Sequence, residues 1–321
     1  MKNEISPPIY FVQEGYDRQS LHRKRKGYFQ SSIENKSCRI LFMFEGKIAL
    51  INSPTGLIAA FIGADQLEGQ QCSNLENIFL GELDGNPVFC VSCDEHPRSL
   101  LKLGVDKLIF SELRQVSPQL PHNHASIMGF AQAMCHWHRK HQYCGSCGRS
   151  TTTEESGHSR VCSNSNCNTR QFPRTDPAVI MLVYNDDSCL LGRQRDWPDR
   201  RYSTIAGYVE PGETPEQAVV REVYEETGVD AMSVRYFASQ PWPFPGSLML
   251  GYYATAAKDI IHLNDGELQD ARWFSKADIA DRVPSGKLRL PTRISIAYRL
   301  LENWFNHNHD LTLNDLNPDS N

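Results

Sequence analysis

The stretch from Gly207 to Val229 leaves a chain few ways to fold: Gly207, then Glu213, then the run Arg221-Glu222-Val223-Tyr224-Glu225-Glu226-Thr227-Gly228-Val229. Thr214 suits a helix N-cap, Pro215 the first helical position, and Gln217 stands at the capping-box spacing after the cap. A helix is therefore expected over 215–227, stopped by Gly228, which adopts left-handed backbone without penalty. Within it Glu222, Glu225 and Glu226 lie at i, i+3 and i+4, so their carboxylates share one face. Like charges at that spacing destabilise a bare helix. A hard cation such as Mg²⁺ or Mn²⁺, which takes carboxylate and phosphate oxygens together, removes the conflict. Arg221 and Glu213 are placed to pair and brace the turn ahead of the helix. A solvated acidic face is the alternative, but it leaves the surrounding glycine, arginine and cap positions without a purpose.

Divalent ions on that face also hold substrate phosphates and can lower the pKa of a bound water. A neighbouring carboxylate can take the proton, with Glu226 in the helix as a candidate; Glu267 downstream reads on its own as a loop carboxylate. The charge balance agrees. With 33 Lys and Arg against 38 Asp and Glu the chain is acidic, so it attracts a polyanion through bridging cations rather than through its overall field. The basic run at 23–26 goes against that average and reads as a solvated face, with RNA phosphates as the other possible contact.

Length and patterning organise the rest. At 321 residues the chain is expected to hold more than one domain, and its longest apolar stretches, 56–64 and 178–184, fall far short of the ~20 residues that span a bilayer. Neither an export signal nor a membrane helix is read, and the cytoplasm is the expected location. Residues 1–125 read as an α+β domain with short strands at 40–44, 47–52 and 87–92, broken by Glu45-Gly46 and Asp84-Gly85-Asn86. Residues 126–175 read as a helix, capped by Ser126, followed by a cysteine module; 176–305 as the domain of the glutamate helix, ending in an amphipathic helix; and 306–321 as a frayed tail.

Cys144-x2-Cys147 and Cys162-x4-Cys167 flank a segment rich in Gly, Ser, Thr and Asn, too polar to fold by apolar burial. Four thiolates at this spacing make a zinc ribbon, with one structural Zn²⁺ per chain and no open coordination position. The wider gap in the second pair requires a bulged knuckle and leaves His158 as an alternative ligand. Cys90-x2-Cys93 lies in a strand without a partner pair and reads, like Cys38, Cys72, Cys135 and Cys189, as buried thiols. The segment Ser239-Gln240-Pro241-Trp242-Pro243-Phe244-Pro245-Gly246-Ser247 is stiff and presents large flat rings, which suits either a nucleobase or a packed loop.

Gly207, Glu213, Arg221, Glu222, Glu225, Glu226 and Gly228 together resemble the Nudix box. With S-Q-P-W-P-F-P just downstream, the chain resembles the NADH pyrophosphatase (NudC-type) subfamily of Nudix hydrolases, which carries a zinc ribbon and also removes NAD caps from RNA. The resemblance implies an α+β chain: a Nudix α/β/α sandwich with a mixed sheet, preceded by the zinc ribbon and the N-terminal domain. It implies cleavage of the pyrophosphate of NADH, giving the reduced mononucleotide and AMP, or of NAD or NAD-capped RNA. Cleavage of ADP-ribose or dinucleoside polyphosphates is the alternative, and an RNA-binding regulator that only senses a nucleotide is the reading from another class. By resemblance, the catalytic divalent ions take the Ala206 carbonyl and Glu222, Glu225, Glu226 and Glu267. Substrate contacts fall on Arg114, Phe172, Tyr208, the segment Gln240, Pro241, Trp242, Pro243, Phe244, Pro245, Gly246 and Ser247, and Ala297. Phe172 and Tyr208 match aromatic positions that sandwich the nicotinamide across a homodimer interface. The family's second cysteine pair is usually C-x2-C, and here it is C-x4-C.

Overall fold

A computed structural model describes residues 8–25, 27–67, 77–102, 108–256, 260–264, 266–307 and 311–316. Two compact units emerge: Phe11–Thr175 with Trp242–Gly246, and Met1–Tyr10 with Asp176–Pro241 and Ser247–Asn321. No helix among the described residues is long and apolar enough to cross a membrane.

The first unit opens with β1 (Tyr16–Asp17), α1 (Tyr28–Ile33), β2 (Arg39–Phe44), β3 (Lys47–Ser53), β4 (Gly56–Ala59), β5 (Ile62–Gly63), β6 (Asn77–Leu83), β7 (Asn86–Cys93) and β8 (Ile109–Ser111). They form one sheet in the order β1-β6-β7-β2-β3-β4, with β5 added to β2 and β8 to β3. Phe44 faces Lys47 and Leu83 faces Asn86, so both hairpins close on two residues, Glu45-Gly46 and Asp84-Gly85. All four of those residues have positive φ, the backbone whose twist matches the flanking strands. The β2–β7 pair is parallel, a long-range pairing that no local pattern announces. After α2 (Leu113–Val116) comes α3 (His122–Lys140), which starts ahead of the expected Ser126 because Pro121 takes the cap position and its carbonyl accepts the Ala125 N–H. Ser126 is instead buried inside the helix. The cysteine module forms a small sheet, β11 (Arg170–Gln171), β10 (Ser159–Cys162) and β9 (Thr151–Glu154) in that order.

The second unit holds β12 (Asp176–Asn185), β13 (Ser188–Gln194), β14 (Ile205–Tyr208), α4 (Pro215–Thr227), β15 (Ala231–Trp242), β16 (Ser247–Ala256), β17 (Leu268–Ser275), α5 (Lys276–Arg282), α6 (Ile296–Asn306) and α7 (Leu313–Leu316). Its sheet runs β15-β16-β12-β13-β17 with β14 beside β12. It is mixed: β12 pairs parallel with β16 and antiparallel with β13 and β14. Alternate residues of β12 serve opposite faces. Val179, Met181 and Val183 pack with Ala218, Val219 and Val223 of α4, while Ile180 and Leu182 join the cluster of Leu300, Leu301 and Phe305 from α6. The result is the helix–sheet–helix sandwich expected of a sheet that must bury both faces.

The tail departs from the expected fraying over 311–316. Leu313 is fully buried, its N–H bonds Asn306 Oδ1 at 2.8 Å, and the Tyr298 hydroxyl reaches Asn314 at 2.8 Å. One apolar side chain with a socket in α6 overrides a polar composition. Residues 308–310 and 317–321 lie outside the described residues.

Candidate active site

The start of α4 is built as its sequence requires: Thr214 Oγ1 accepts the Gln217 N–H and Gln217 Oε1 accepts the Thr214 N–H, at 3.3 and 2.9 Å. Gly228 ends the helix in left-handed backbone, φ 67°. Arg221 then ties the elements together. Its Nε and Nη2 donate to the two oxygens of Glu213 at 2.8 and 2.9 Å, and Nη2 also donates to the Tyr208 carbonyl at 2.9 Å. Nη1 donates to Glu222 and Glu225 at 2.8 and 3.0 Å. One planar guanidinium thus locks the turn, β14 and the carboxylate face.

The Arg221 guanidinium holds the Glu213 carboxyl at a pKa of about 2, far below its ordinary 4.5. A depressed folded-state pKa means stability that is present above the unfolded value and lost as the pH falls through the folded one. Melting temperatures of the wild type should therefore decline between pH 4.5 and 2 more steeply than those of Glu213→Gln, which lacks this acid-labile contribution throughout. Parallel slopes would refute the brace.

Glu222 reaches back over Gly207. A Cβ at residue 207 would stand 1.9–2.2 Å from the Glu222 carboxylate atoms, so any larger residue would push that carboxylate aside. Burial raises the Glu222 pKa, the Arg221 contact opposes it, and the charges of Glu225 and Glu267 raise it further. Those two carboxylates therefore share its field. Glu226 is buried at 4% exposure and Glu267 is exposed just ahead of β17. Ala206 is exposed on β14, opposite Ile180 of β12. The glutamate oxygens are not gathered within 4.8 Å; among the described residues only the cysteine sulfurs are. Mutually repelling carboxylates around one half-buried glutamate are a donor set whose chemistry fits a hard divalent cation. Gly207→Ala should displace Glu222 and lower hydrolytic turnover by about 100-fold or more, in line with the loss of a positioned charge, while the melting temperature moves little. Turnover that survives together with the fold would show that Glu222 is not needed where it stands.

The remaining expected contacts divide between the units. In the second unit Tyr208 is 58% exposed, its hydroxyl 3.5 Å from Ser247 Oγ, and Ala297 is buried in the first turn of α6. Gln240 is fully buried: Nε2 donates to the carbonyls of Tyr10 and Ile294 at 3.1 and 2.7 Å, and Oε1 accepts the Ile296 N–H at 2.7 Å. Its amide is spent on backbone, so it positions the α6 start; Pro241 beside it is exposed. In the first unit Trp242 and Phe244 stand edge-on to each other at 5.1 Å and to Phe11 at 6.2 and 5.6 Å. Arg114 lies over Trp242 at 5.6 Å, and Gln132 Nε2 donates to the buried Pro243 carbonyl at 2.8 Å. Pro245 is exposed, Gly246 half-buried, and Phe172, after β11, is 53% exposed. Phe11 and Gln132 support this segment from far away in the sequence, where no local signal marks them.

The four sulfurs of Cys144, Cys147, Cys162 and Cys167 lie within 4.8 Å of one another, with Cys147–Cys162 at 3.4 Å and Cys144–Cys167 at 3.9 Å. Tetrahedral zinc with Zn–S bonds of about 2.3 Å sets sulfurs about 3.8 Å apart, so the cluster fits Zn²⁺. The long second knuckle is accommodated by a turn in which the Cys167 and Asn168 N–H groups both bond the Asn164 carbonyl, with Asn168 at positive φ. His158 is not part of the cluster. Its Nε2 pairs with the Phe79 carbonyl at 2.7 Å, and burial pushes its pKa down to about 4. The Cys144 thiol is drawn down to about 6, first by the Ser146 N–H. Cys38, Cys90, Cys135 and Cys189 are buried thiols, Cys93 is half-buried, and Cys72 lies outside the described residues.

Comparison with known proteins agrees with this geometry. Three family models match: a NUDIX domain over 174–292, an NADH pyrophosphatase-like rudimentary NUDIX domain over 38–137, and an NADH pyrophosphatase zinc ribbon domain over 139–172. The chain is 36% identical over 233 residues to the NAD-capped RNA hydrolase NUDT12 of Homo sapiens, an alignment covering 65% of this chain and 50% of that protein. It therefore spans about half the length of that relative. It is 40% identical over 223 residues to the NAD-capped RNA hydrolase NudC of Stutzerimonas stutzeri, covering 70% and 75% of the two chains. With NudC of Pseudomonas putida F1 it shares 35% identity over 246 residues, covering 75% and 86%. The glutamate helix, the two mixed sheets and the four-cysteine module thus belong to one pattern, and the chain is a member of the Nudix hydrolase family, in the branch that carries the NADH pyrophosphatase zinc ribbon.

Proposed function

We propose that the chain hydrolyses the pyrophosphate bond of NADH, giving reduced nicotinamide mononucleotide and AMP, and acts likewise on NAD and on NAD-capped RNA. The observation that carries this reading is the exposed Tyr208 ring, one residue past Gly207, whose carbonyl is held by the same Arg221 that holds Glu222 and Glu225. A residue with a flat ring suited to a base or nicotinamide is thus tied, through its backbone carbonyl, to the charged face for two phosphates. The NAD-capped RNA hydrolases among the relatives favour that substrate class over ADP-ribose or dinucleoside polyphosphates.

The Ala206 carbonyl with Glu222, Glu225, Glu226 and Glu267 would hold Mg²⁺ or Mn²⁺. When bound, such ions neutralise phosphate charge and acidify water. Arg221 keeps Glu222 and Glu225 aimed at that face. Glu226 or Glu267 takes the proton as a water oxygen bonds to phosphorus and the bridging P–O bond breaks in line, with the leaving phosphate departing from the opposite side. Phe172 and Tyr208 bind the nicotinamide from the two subunits of a homodimer working in the cytoplasm.

Following AMP release from NADH, NAD, NAD-capped RNA, ADP-ribose and a dinucleoside polyphosphate with Mg²⁺ or Mn²⁺ tests the reading. Release from NADH and NAD ahead of the other small substrates is expected. No release from any nicotinamide dinucleotide would defeat it and favour a nucleotide-sensing RNA binder, against which all the box glutamates now stand.

A further inference from the structure

The cations of the unit that carries the glutamates are mostly committed. Arg193 pairs with Asp199, Arg221 with Glu213, Arg272 with Asp270, Arg282 with Asp278 and Arg299 with Glu302. Lys276 sits over Trp304, Arg235 over Tyr253 and Arg201 over Trp197. Among the described residues Arg195, Arg200, Lys287 and Arg289 have no carboxylate or ring partner, and all four are exposed. They are not scattered. The Arg289 N–H bonds the Arg200 carbonyl at 2.8 Å, the Arg289 carbonyl accepts the Tyr202 N–H at 3.0 Å, and Arg200 Nη1 reaches the Gly286 carbonyl at 3.3 Å. Two loops, 195–201 and 284–289, are therefore knitted into one cationic surface on an acidic chain.

That surface begins at the site. Gln194 faces Leu268 in the antiparallel β13–β17 ladder, so Arg195 leaves the sheet beside the strand end that carries Glu267. Trp197, half-buried under the Arg201 guanidinium at 5.9 Å, offers a ring at the same place. Asp196, exposed, and Asp199, held by Arg193 at 3.0 Å, are the carboxylates of the loop. A free dinucleotide has its two phosphates on the glutamate face and nothing left to engage these cations. A polymer with a phosphate at every residue does.

We infer that the two loops are the landing surface for the RNA strand that follows the capping dinucleotide, with its phosphodiesters on Arg195, Arg200, Lys287 and Arg289 and a base against Trp197. The inference rests on the NAD-capped RNA reading above. It makes the surface a determinant of polymer over free dinucleotide.

The test is the combined variant Arg195→Gln/Arg200→Gln/Lys287→Gln, assayed on NADH and on NAD-capped RNA across a salt series. Its kcat/KM for capped RNA should fall about tenfold or more at low salt while that for NADH stays within about twofold. The slope of log kcat/KM against log salt should become shallower by about 2, roughly 0.7 per lost single-strand contact. Arg195→Lys/Arg200→Lys should keep most of the capped-RNA activity. Equal losses on both substrates, or no loss on either, would overturn the inference. If wild type cleaves no nicotinamide substrate at all, the functional reading fails. Binding of an uncapped, fluorescent single-stranded RNA then decides the surface alone: weaker, less salt-sensitive binding by the variant supports it, and equal binding overturns it.

Discussion

Replacing Glu226 by Gln is expected to slow pyrophosphate cleavage by about 100- to 10,000-fold, the range over which a positioned proton acceptor acts. Glu226 is the most buried of the box glutamates, at 4% exposure, with Glu222 at i−4 on the same face of α4. Glutamine keeps the shape and its packing, so the melting temperature should change little. What it removes is the negative charge that a cation needs and the oxygen that receives a proton. Glu225 offers the contrast: its side chain is 51% exposed and already bonded to Arg221, so Glu225→Gln should cost less. Single-turnover AMP release with saturating metal separates the two. Undiminished release from Glu226→Gln would place the chemistry elsewhere.

Loss of zinc should be felt by the fold rather than by the chemical step. Each chain is expected to carry one Zn²⁺, and a strong chelator or Cys162→Ser should melt the module around β9, β10 and β11. Structural zinc contributes about 10–16 kcal/mol to folding in isolated modules of this kind, and the segment between the cysteine pairs has little apolar burial to replace it. Val161 and Cys162, on a sheet of short strands, and Cys144 ahead of it are the buried apolar residues there. Elemental analysis gives the stoichiometry, and limited proteolysis of the chelated protein should cut within 144–167 first. A zinc-free protein with unchanged protease resistance would refute a structural role. Because four cysteines close the coordination sphere, added zinc should restore the fold without itself supporting turnover.

The parts legible in the sequence are those whose physics is local. The ends of α4 follow from Thr214, Pro215, Gln217 and Gly228, each acting within one helical turn, and the observed helix spans Pro215–Thr227 as expected. The two hairpins follow from residue pairs that tolerate positive φ. The spacing leaves Glu213 and Arg221 placed to pair, as they do in the fold, and the four cysteines placed to share one ion.

What tertiary structure alone decided are contacts made across long sequence separations or at the scale of one methyl group. Nothing in the string says that the Glu222 carboxylate lies over Gly207, or that the Gln240 amide is consumed by Tyr10, Ile294 and Ile296 rather than facing a substrate. The gathering of Arg195 and Arg200 with Lys287 and Arg289 depends on two loops meeting at one end of a sheet, and the socket for Leu313 on the packing of α6. The glutamate helix was therefore determined by sequence because caps, period and charge repulsion act within a turn or two. Which carboxylate is buried, which glycine makes room for it, and what lies beside it follow from strand pairing, which only the folded chain fixes.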